Sequence, residues 1–231
     1  SRWIDCQQAL ALVIGRAFQE HEALLPTLGL HDSESFRKIL LGTAEPALYW
    51  SSLRLLTRLL RQAYGQPVLL LLDEYDTPLH GAYVHGYYDE AVEFMRNFLM
   101  EGFKDNPDLW KGVLTGILRI ARDSMFSGLN NLSVHDVLST EYSPYFGFSE
   151  AEVRSLLPPG PEGDAQLGTV REWYNGYLFG EQLVYNPWSV LSFVKSPRKS
   201  PEPYWAMTGG TDLIRELLID QGHGLSADME A

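Results

Sequence analysis

The chain has 231 residues, a formal net charge of −12, 45% apolar and 21% charged residues, and a single cysteine, Cys6. That length suffices for one large domain or two small ones around a sizeable core, and the balance is that of a globular chain, which excludes a disordered segment. The acidic charge argues against direct contact with nucleic acid, which needs clustered Lys and Arg, while leaving nucleotide binding open; the lone cysteine excludes an internal disulfide and a cysteine metal cluster.

No apolar run reaches membrane-spanning length, so no membrane partner is expected, and a reducing, cytoplasmic compartment is the plain expectation. The opening Ser-Arg-Trp-Ile-Asp is neither a signal peptide nor a start methionine, so the chain is expected to be cut from something longer. Residues 1–25 carry Ile4, Leu10, Val13, Ile14, Phe18 and Leu25 at helical spacing. A second short helix, capped by Asp32 or Ser33, runs through Phe36, Ile39 and Leu40 to Gly42. Glu45 to Tyr64 reads as a longer helix with Leu53, Leu56, Leu59 and Leu60 on its apolar face, ended by Gly65-Gln-Pro67. Helices before the first strand are an odd start for an α/β domain, so earlier strands are expected upstream of residue 1.

Val68 to Leu72 is a short unbroken apolar run between turn signals, the pattern of a strand buried on both faces of a parallel sheet. It runs straight into Asp73, Glu74, Tyr75 and Asp76. The carboxyl end of such a strand is where open α/β sheets place ligands. Adjacent carboxylates there have a use in nucleotide chemistry, the first holding Mg²⁺ and the second polarising the attacking water. Successive strand residues face opposite ways, so Asp73 and Glu74 need a bend to act together. The plain alternative is a solvated acidic loop.

Thr77 to Tyr88 reads as a loop rich in Gly, Tyr and His, and Asp89 caps a helix through Phe103, with Val92, Met95, Phe98 and Leu99 as its buried stripe. Asp105-Asn-Pro107 breaks it. Trp110 to Gly116 is a second buried strand, and its separation from the first by a helix predicts parallel pairing. Arg119 and Arg122 follow that strand's end. Phe126 to Leu132 is a loop, Val134 to Leu138 a short strand or turn, and Ser149 with Glu152 a capping box for a helix ending near Leu157. Pro158 to Gly163 is the strongest break. Beyond it a small helical region is expected: a helix with Val170 and Trp173, a turn at Tyr174-Asn-Gly-Tyr177, a helix opened by Asn186-Pro187, and a last helix from Thr211 to Leu218. The expected division is thus 1–157, 164–219 and a tail at 220–231.

Other constellations are weaker. His80, His85 and Asp89 lack the helical spacing of metal ligands, and Ser127 lacks a nucleophile elbow. The aromatics of residues 173–205 fit packing better than base stacking, since their surroundings are not basic. Gly209-Gly-Thr-Asp212 is a helix start that either caps or holds an anion.

With these residues in view, the chain resembles the AAA-ATPase-like proteins of bacteria and archaea. The segments that carry the resemblance are Leu72-Asp-Glu-Tyr-Asp-Thr-Pro-Leu79, His85-Gly-Tyr-Tyr-Asp89, Arg96-Asn-Phe98, Lys104-Asp-Asn-Pro107, Leu114-Thr-Gly-Ile-Leu-Arg119, Phe126 to Leu132, Tyr145-Phe-Gly-Phe148, Trp173 to Tyr177 and Tyr185 to Val190. They cover most of residues 68–215 in order. The resemblance implies an α/β fold, a partial P-loop NTPase-type parallel sheet with flanking helices followed by a small helical region. It implies an ATPase with Mg²⁺ and ATP as cofactor and ligand, a nuclease-like domain or partner protein as the attached effector, and a homo-oligomer as one possible assembly. By position, Asp73 resembles the Walker B aspartate that holds magnesium, Glu74 the residue that activates water, and Thr115 a polar sensor residue. Arg119 falls where an arginine finger would reach the γ-phosphate; the alternative is a salt bridge to Asp73, Glu74 or Asp76. One departure stands out. No Gly-Lys pair occurs in the sequence, so the family's phosphate loop is absent and is expected upstream of residue 1, with the nuclease-like domain downstream of residue 231. The chain by itself is therefore expected to hydrolyse no ATP. The alternative function is a non-catalytic interaction or scaffold module derived from an ATPase.

Overall fold

The structure, a computed structural model, describes residues 2–117, 126, 129 and 132–207. It comprises two compact units, divided between Leu132 and Ser133. The break read at Pro158–Gly163 falls inside the second unit, and the helix before it packs there. Arg119, Arg122, Ser127, the helix expected at 211–218 and the 220–231 tail lie outside the described residues.

The first unit opens with α1 (Trp3–Gln19), shorter than the helix expected over 1–25, because a 3₁₀ segment containing Pro26 (Glu22–Thr27) takes over. Helix α2 (Leu30–Leu40) starts at Gly29 and not at Asp32 or Ser33. Asp32 is engaged elsewhere: its carboxylate takes two hydrogen bonds from Arg58, at 2.8 and 3.0 Å. The single helix expected over 45–64 is two, α3 (Pro46–Trp50) and α4 (Ser52–Tyr64). Ser51 interrupts it, with its hydroxyl donating back to the Ala47 and Leu48 carbonyls, a competition with the helix ladder that small hydroxyl residues favour.

Strand β1 (Val68–Leu72) follows, then α5 (Thr77–His85), α6 (Tyr88–Phe103) and β2 (Leu109–Leu114). The strands pair in parallel, with Leu70 opposite Gly112 and Leu72 opposite Leu114, as the alternating pattern predicts. The loop expected over 77–88 is helical instead. Asp76 at its start, Pro78 in its first turn and Gly86 in the left-handed conformation at its end are the signals that outweigh its glycines. Asp89 sits in the first turn of α6 and not at its cap, which is Tyr87.

β1 is not buried on both faces. Val68, Leu70 and Leu72 are half-buried, whereas Leu69 is 45% and Leu71 66% exposed; on β2, Val113 is 41% exposed between half-buried Gly112 and Leu114. Alternation with period two is what a sheet shows when one face lies open, and the sheet of the described residues has only these two strands in this unit. The core lies among the helices. Phe18 and Phe36 meet edge to face at 4.8 Å, and Ile39, Leu59, Leu79, Phe98 and Leu99 complete it. Each such side chain contributes about 1.5–3 kcal/mol on burial.

The segment entering β2 is fastened to α4. Buried Asn106 donates from Nδ2 to the Thr57 hydroxyl at 3.0 Å and the Gly102 carbonyl at 2.8 Å, and its Oδ1 accepts from the Asp108 amide at 3.1 Å. Arg54 covers the end of α6, donating to the carbonyls of Glu101, Lys104 and Asp105.

The second unit holds α7 (Glu150–Leu156), α8 (Pro161–Tyr174), a hairpin of β3 (Asn175–Phe179) and β4 (Gln182–Tyr185), and α9 (Pro187–Lys195). The capping box of Ser149 and Glu152 forms, and Asn186 caps α9 by accepting from the Ser189 amide at 2.9 Å. The antiparallel hairpin replaces the turn read at Tyr174–Tyr177. The chain reverses instead at Gly180-Glu181, between runs rich in aromatic and branched residues suited to strands. Val153, Val170, Tyr185, Val190 and Phe193 are fully buried around it. Arg171 makes a bidentate pair with Glu150, at 2.8 and 2.6 Å, and the Tyr185 hydroxyl donates to the same carboxylate at 3.0 Å.

Candidate functional site

The exits of β1 and β2 lie side by side because the strands are parallel and in register at Leu72 and Leu114. The pairing continues past both strands: the Thr115 amide donates to the Leu72 carbonyl at 2.9 Å, and the Tyr75 amide to the Thr115 carbonyl at 3.0 Å. The acidic residues after β1 and the polar residue after β2 therefore share one corner.

Within it the Thr115 hydroxyl is used twice. It donates to Asp73 Oδ1 and accepts from the Glu74 amide at 3.1 Å. Glu74 supplies the bend that the strand end needs, with φ at +51° in the left-handed region, which an L residue adopts only at a cost. Thr77, at the start of α5, directs its hydroxyl to Glu74 Oε2 at 3.4 Å. Asp73, Glu74 and Thr115 are all exposed, so their oxygens reach solvent. The sequence-derived trio thus comes together on the surface of one corner, while Arg119 lies outside the described residues.

Behind the trio is a buried layer. Asp76 is fully buried. Its Oδ2 accepts from the Ile117 amide at 2.8 Å and lies 3.2 Å from His80 Nε2, one helical turn further along α5. Tyr75 packs edge to face on Phe126, with ring centroids 5.5 Å apart, and its hydroxyl pKa is pushed up by burial and then by the charge of Asp76. Gly116 admits no side chain: a Cβ there would lie 2.8 Å from Tyr75 Cε1 and 2.9 Å from Asp76 Oδ1. Sequence reasoning gave His80 and Gly116 no part in the site, and Asp76 only that of an alternative ion-pair partner for Arg119. The available signal was Asp76 directly before Thr77-Pro78, a helix-start pattern that marks Asp76 as a cap candidate and says nothing of the neighbouring strand.

Chemically, an exposed carboxylate beside a hydroxyl is a hard-oxygen donor set. That suits Mg²⁺, which is held by one or two carboxylates together with substrate phosphates and water and not by an all-protein cage. No group of three or more His, Cys, Asp or Glu among the described residues gathers to hold a metal. No described helix is long and apolar enough to cross a membrane.

Residues 24–126 match the family model described as AAA-ATPase_like, predicted AAA-ATPase, a range that contains every residue of this corner. The chain is also 30% identical over 167 residues to a protein of Azotobacter chroococcum mcd 1 described as "Uncharacterized protein in vnfD 5'region". That match takes in 71% of this chain but only 32% of the relative's length. No solved structure matches.

Proposed function

Since the chain belongs to the AAA-ATPase-like family, we propose that it supplies the magnesium and water side of an ATP-hydrolysing site in the full-length protein. The single observation that supports this most is the meeting of Asp73, Glu74 and Thr115 at the adjacent exits of two parallel strands. Asp73 would hold Mg²⁺, with Thr115 orienting its carboxylate through the hydroxyl contact. Bound there, the ion would neutralise charge on the β- and γ-phosphates. Glu74, on its left-handed turn, would orient the attacking water and take its proton. Arg119 would stabilise the transferring phosphoryl group. A phosphate loop from elsewhere in the protein would complete the P-loop-type sheet, and turnover would drive an attached effector such as a nuclease-like domain, in a cytoplasmic protein able to form oligomers.

The test is Mg-ATP binding and turnover by the full-length protein and by residues 1–231 alone. The expected result is turnover only by the longer form, with Glu74→Gln losing about 10²-fold or more in kcat while retaining binding, and Asp73→Ala losing the magnesium dependence. Full-length protein that neither binds nor hydrolyses ATP refutes the proposal. That outcome favours the scaffold module instead.

A further inference from the structure

We infer that Asp76 is a positioning residue, one that clamps the exit of β2 to the start of α5 so that the Thr115 hydroxyl stays on Asp73 and the Glu74 amide. This rests on the ATPase proposal for its catalytic consequence, and on geometry alone for the clamp.

Asp76 occupies the N-cap position of α5, yet its side chain caps no amide of that helix. It reaches the other strand instead, accepting from the Ile117 amide at 2.8 Å. Besides the two contacts of the Thr115 hydroxyl, residues 115–117 are tied to 72–76 at three further points. The first two are backbone bonds, Thr115 amide to Leu72 carbonyl and Tyr75 amide to Thr115 carbonyl. The third is the Asp76 carboxyl on the Ile117 amide, one residue beyond Tyr75 and two beyond Thr115. The middle residue, Gly116, lets the two segments approach: any Cβ would collide with the Tyr75 ring and the Asp76 carboxyl together. His80 Nε2 lies 3.2 Å from the same oxygen. A buried carboxyl is costly to desolvate, and an exposed Ser or Asn would cap α5 as well. What a buried acceptor at this point adds is a stop on the residues carrying the sensor hydroxyl. An error of about 1 Å in a positioning group can cost about 10²-fold in rate.

The experiment is steady-state ATP turnover by full-length Asp76→Ala, Asp76→Asn, Gly116→Ala, Thr115→Val and Asp76→Ala/Thr115→Val proteins, beside amide hydrogen exchange across residues 114–117 and a melting curve for each. Asp76→Ala is expected to lower kcat about tenfold or more with KM for Mg-ATP within about twofold. Asp76→Asn keeps an oxygen for the Ile117 amide and is expected to restore kcat to within about threefold of wild type. Gly116→Ala, with the carboxyl intact, is expected to reproduce the Asp76→Ala loss, and it carries the test if Asp76→Ala fails to fold. The double variant should fall no further than its worse parent, because both changes release one hydroxyl. Asn as poor as Ala, or losses that multiply, overturns the inference and makes the Asp76 charge act by itself. Should wild type show no turnover at all, the ATPase proposal fails separately. The clamp is then decided by exchange: the Ile117 amide should exchange about tenfold faster in Asp76→Ala than in wild type, and unchanged protection overturns it.

Discussion

Asn106→Ala tests whether the junction between α4, α6 and β2 is held by polar contacts rather than by apolar packing. The wild-type side chain is nearly sealed, at 9% exposure, and uses both donors and its carbonyl oxygen. Truncation leaves the buried Gly102 carbonyl and the part-buried Asp108 amide without these partners. The Thr57 hydroxyl is spared, since it still donates to the Arg54 carbonyl at 3.0 Å. Two stranded backbone groups at about 1–1.5 kcal/mol each give a loss of about 2–3 kcal/mol. For a unit of this size that is a fall in Tm on the order of 10 °C. Urea unfolding followed by tryptophan fluorescence and far-UV circular dichroism reads it directly. Asn106→Asp is the informative companion: it keeps the acceptor for Asp108 but turns a carboxylate towards the Gly102 carbonyl, and is expected to lose at least as much at neutral pH. A change below about 0.5 kcal/mol in Asn106→Ala would refute the reasoning, placing the site among ordinary surface positions.

Two further outcomes are expected. The Glu150 carboxyl is held down to about 2 by Arg171 first and the Tyr185 hydroxyl second, against an ordinary value of 4.5. A depressed acid stabilises the fold above its unfolded pKa and loses that contribution as pH falls through the folded value, so the second unit should weaken between about pH 4.5 and 2, and Glu150→Gln should flatten that slope in acid-unfolding curves. The pair is half exposed, so the effect is modest, and an unchanged slope would count against it. At the site, Glu74→Gly removes a left-handed strain of about 1–2 kcal/mol against an unfolded-state entropy cost of about 0.4–1 kcal/mol. The variant should therefore melt slightly higher than wild type while losing ATP turnover, and a lower Tm would show that Glu74 is not strained there.

What the sequence disclosed was what local chemistry decides. The Ser149–Glu152 box, the Asn186 cap and the parallel pairing of β1 with β2 follow from a few adjacent residues or from element order. Helix α5 was obscured because Gly81, Gly86 and the tyrosines of residues 77–88 look like loop material, although its start at Asp76-Thr77-Pro78 and its stop at Gly86 carried the opposing signals. The hairpin was obscured by Asn175-Gly176, which resembles a turn more than Gly180-Glu181 does. At the site, Asp73 and Glu74 were legible because an apolar run ending in acids has a direct chemical meaning. The partner of Asp76 was not: Ile117 is 41 residues away, and only the paired strands bring its amide within reach.

The open face of the β1–β2 sheet has a colloidal consequence. Leu69, Leu71 and Val113 present an apolar surface to water on a chain whose net charge is −12. In dilute buffer that charge keeps copies apart, with a screening length of about 30 Å at 0.01 M salt, well beyond the reach of apolar contact. At 1 M the length shrinks to about 3 Å, and excluded anions such as sulfate strengthen the attraction between apolar faces further. Salt therefore acts on this chain in two opposed ways. It loosens surface pairs such as Arg171–Glu150, and it removes the repulsion that keeps the sheet face in solution.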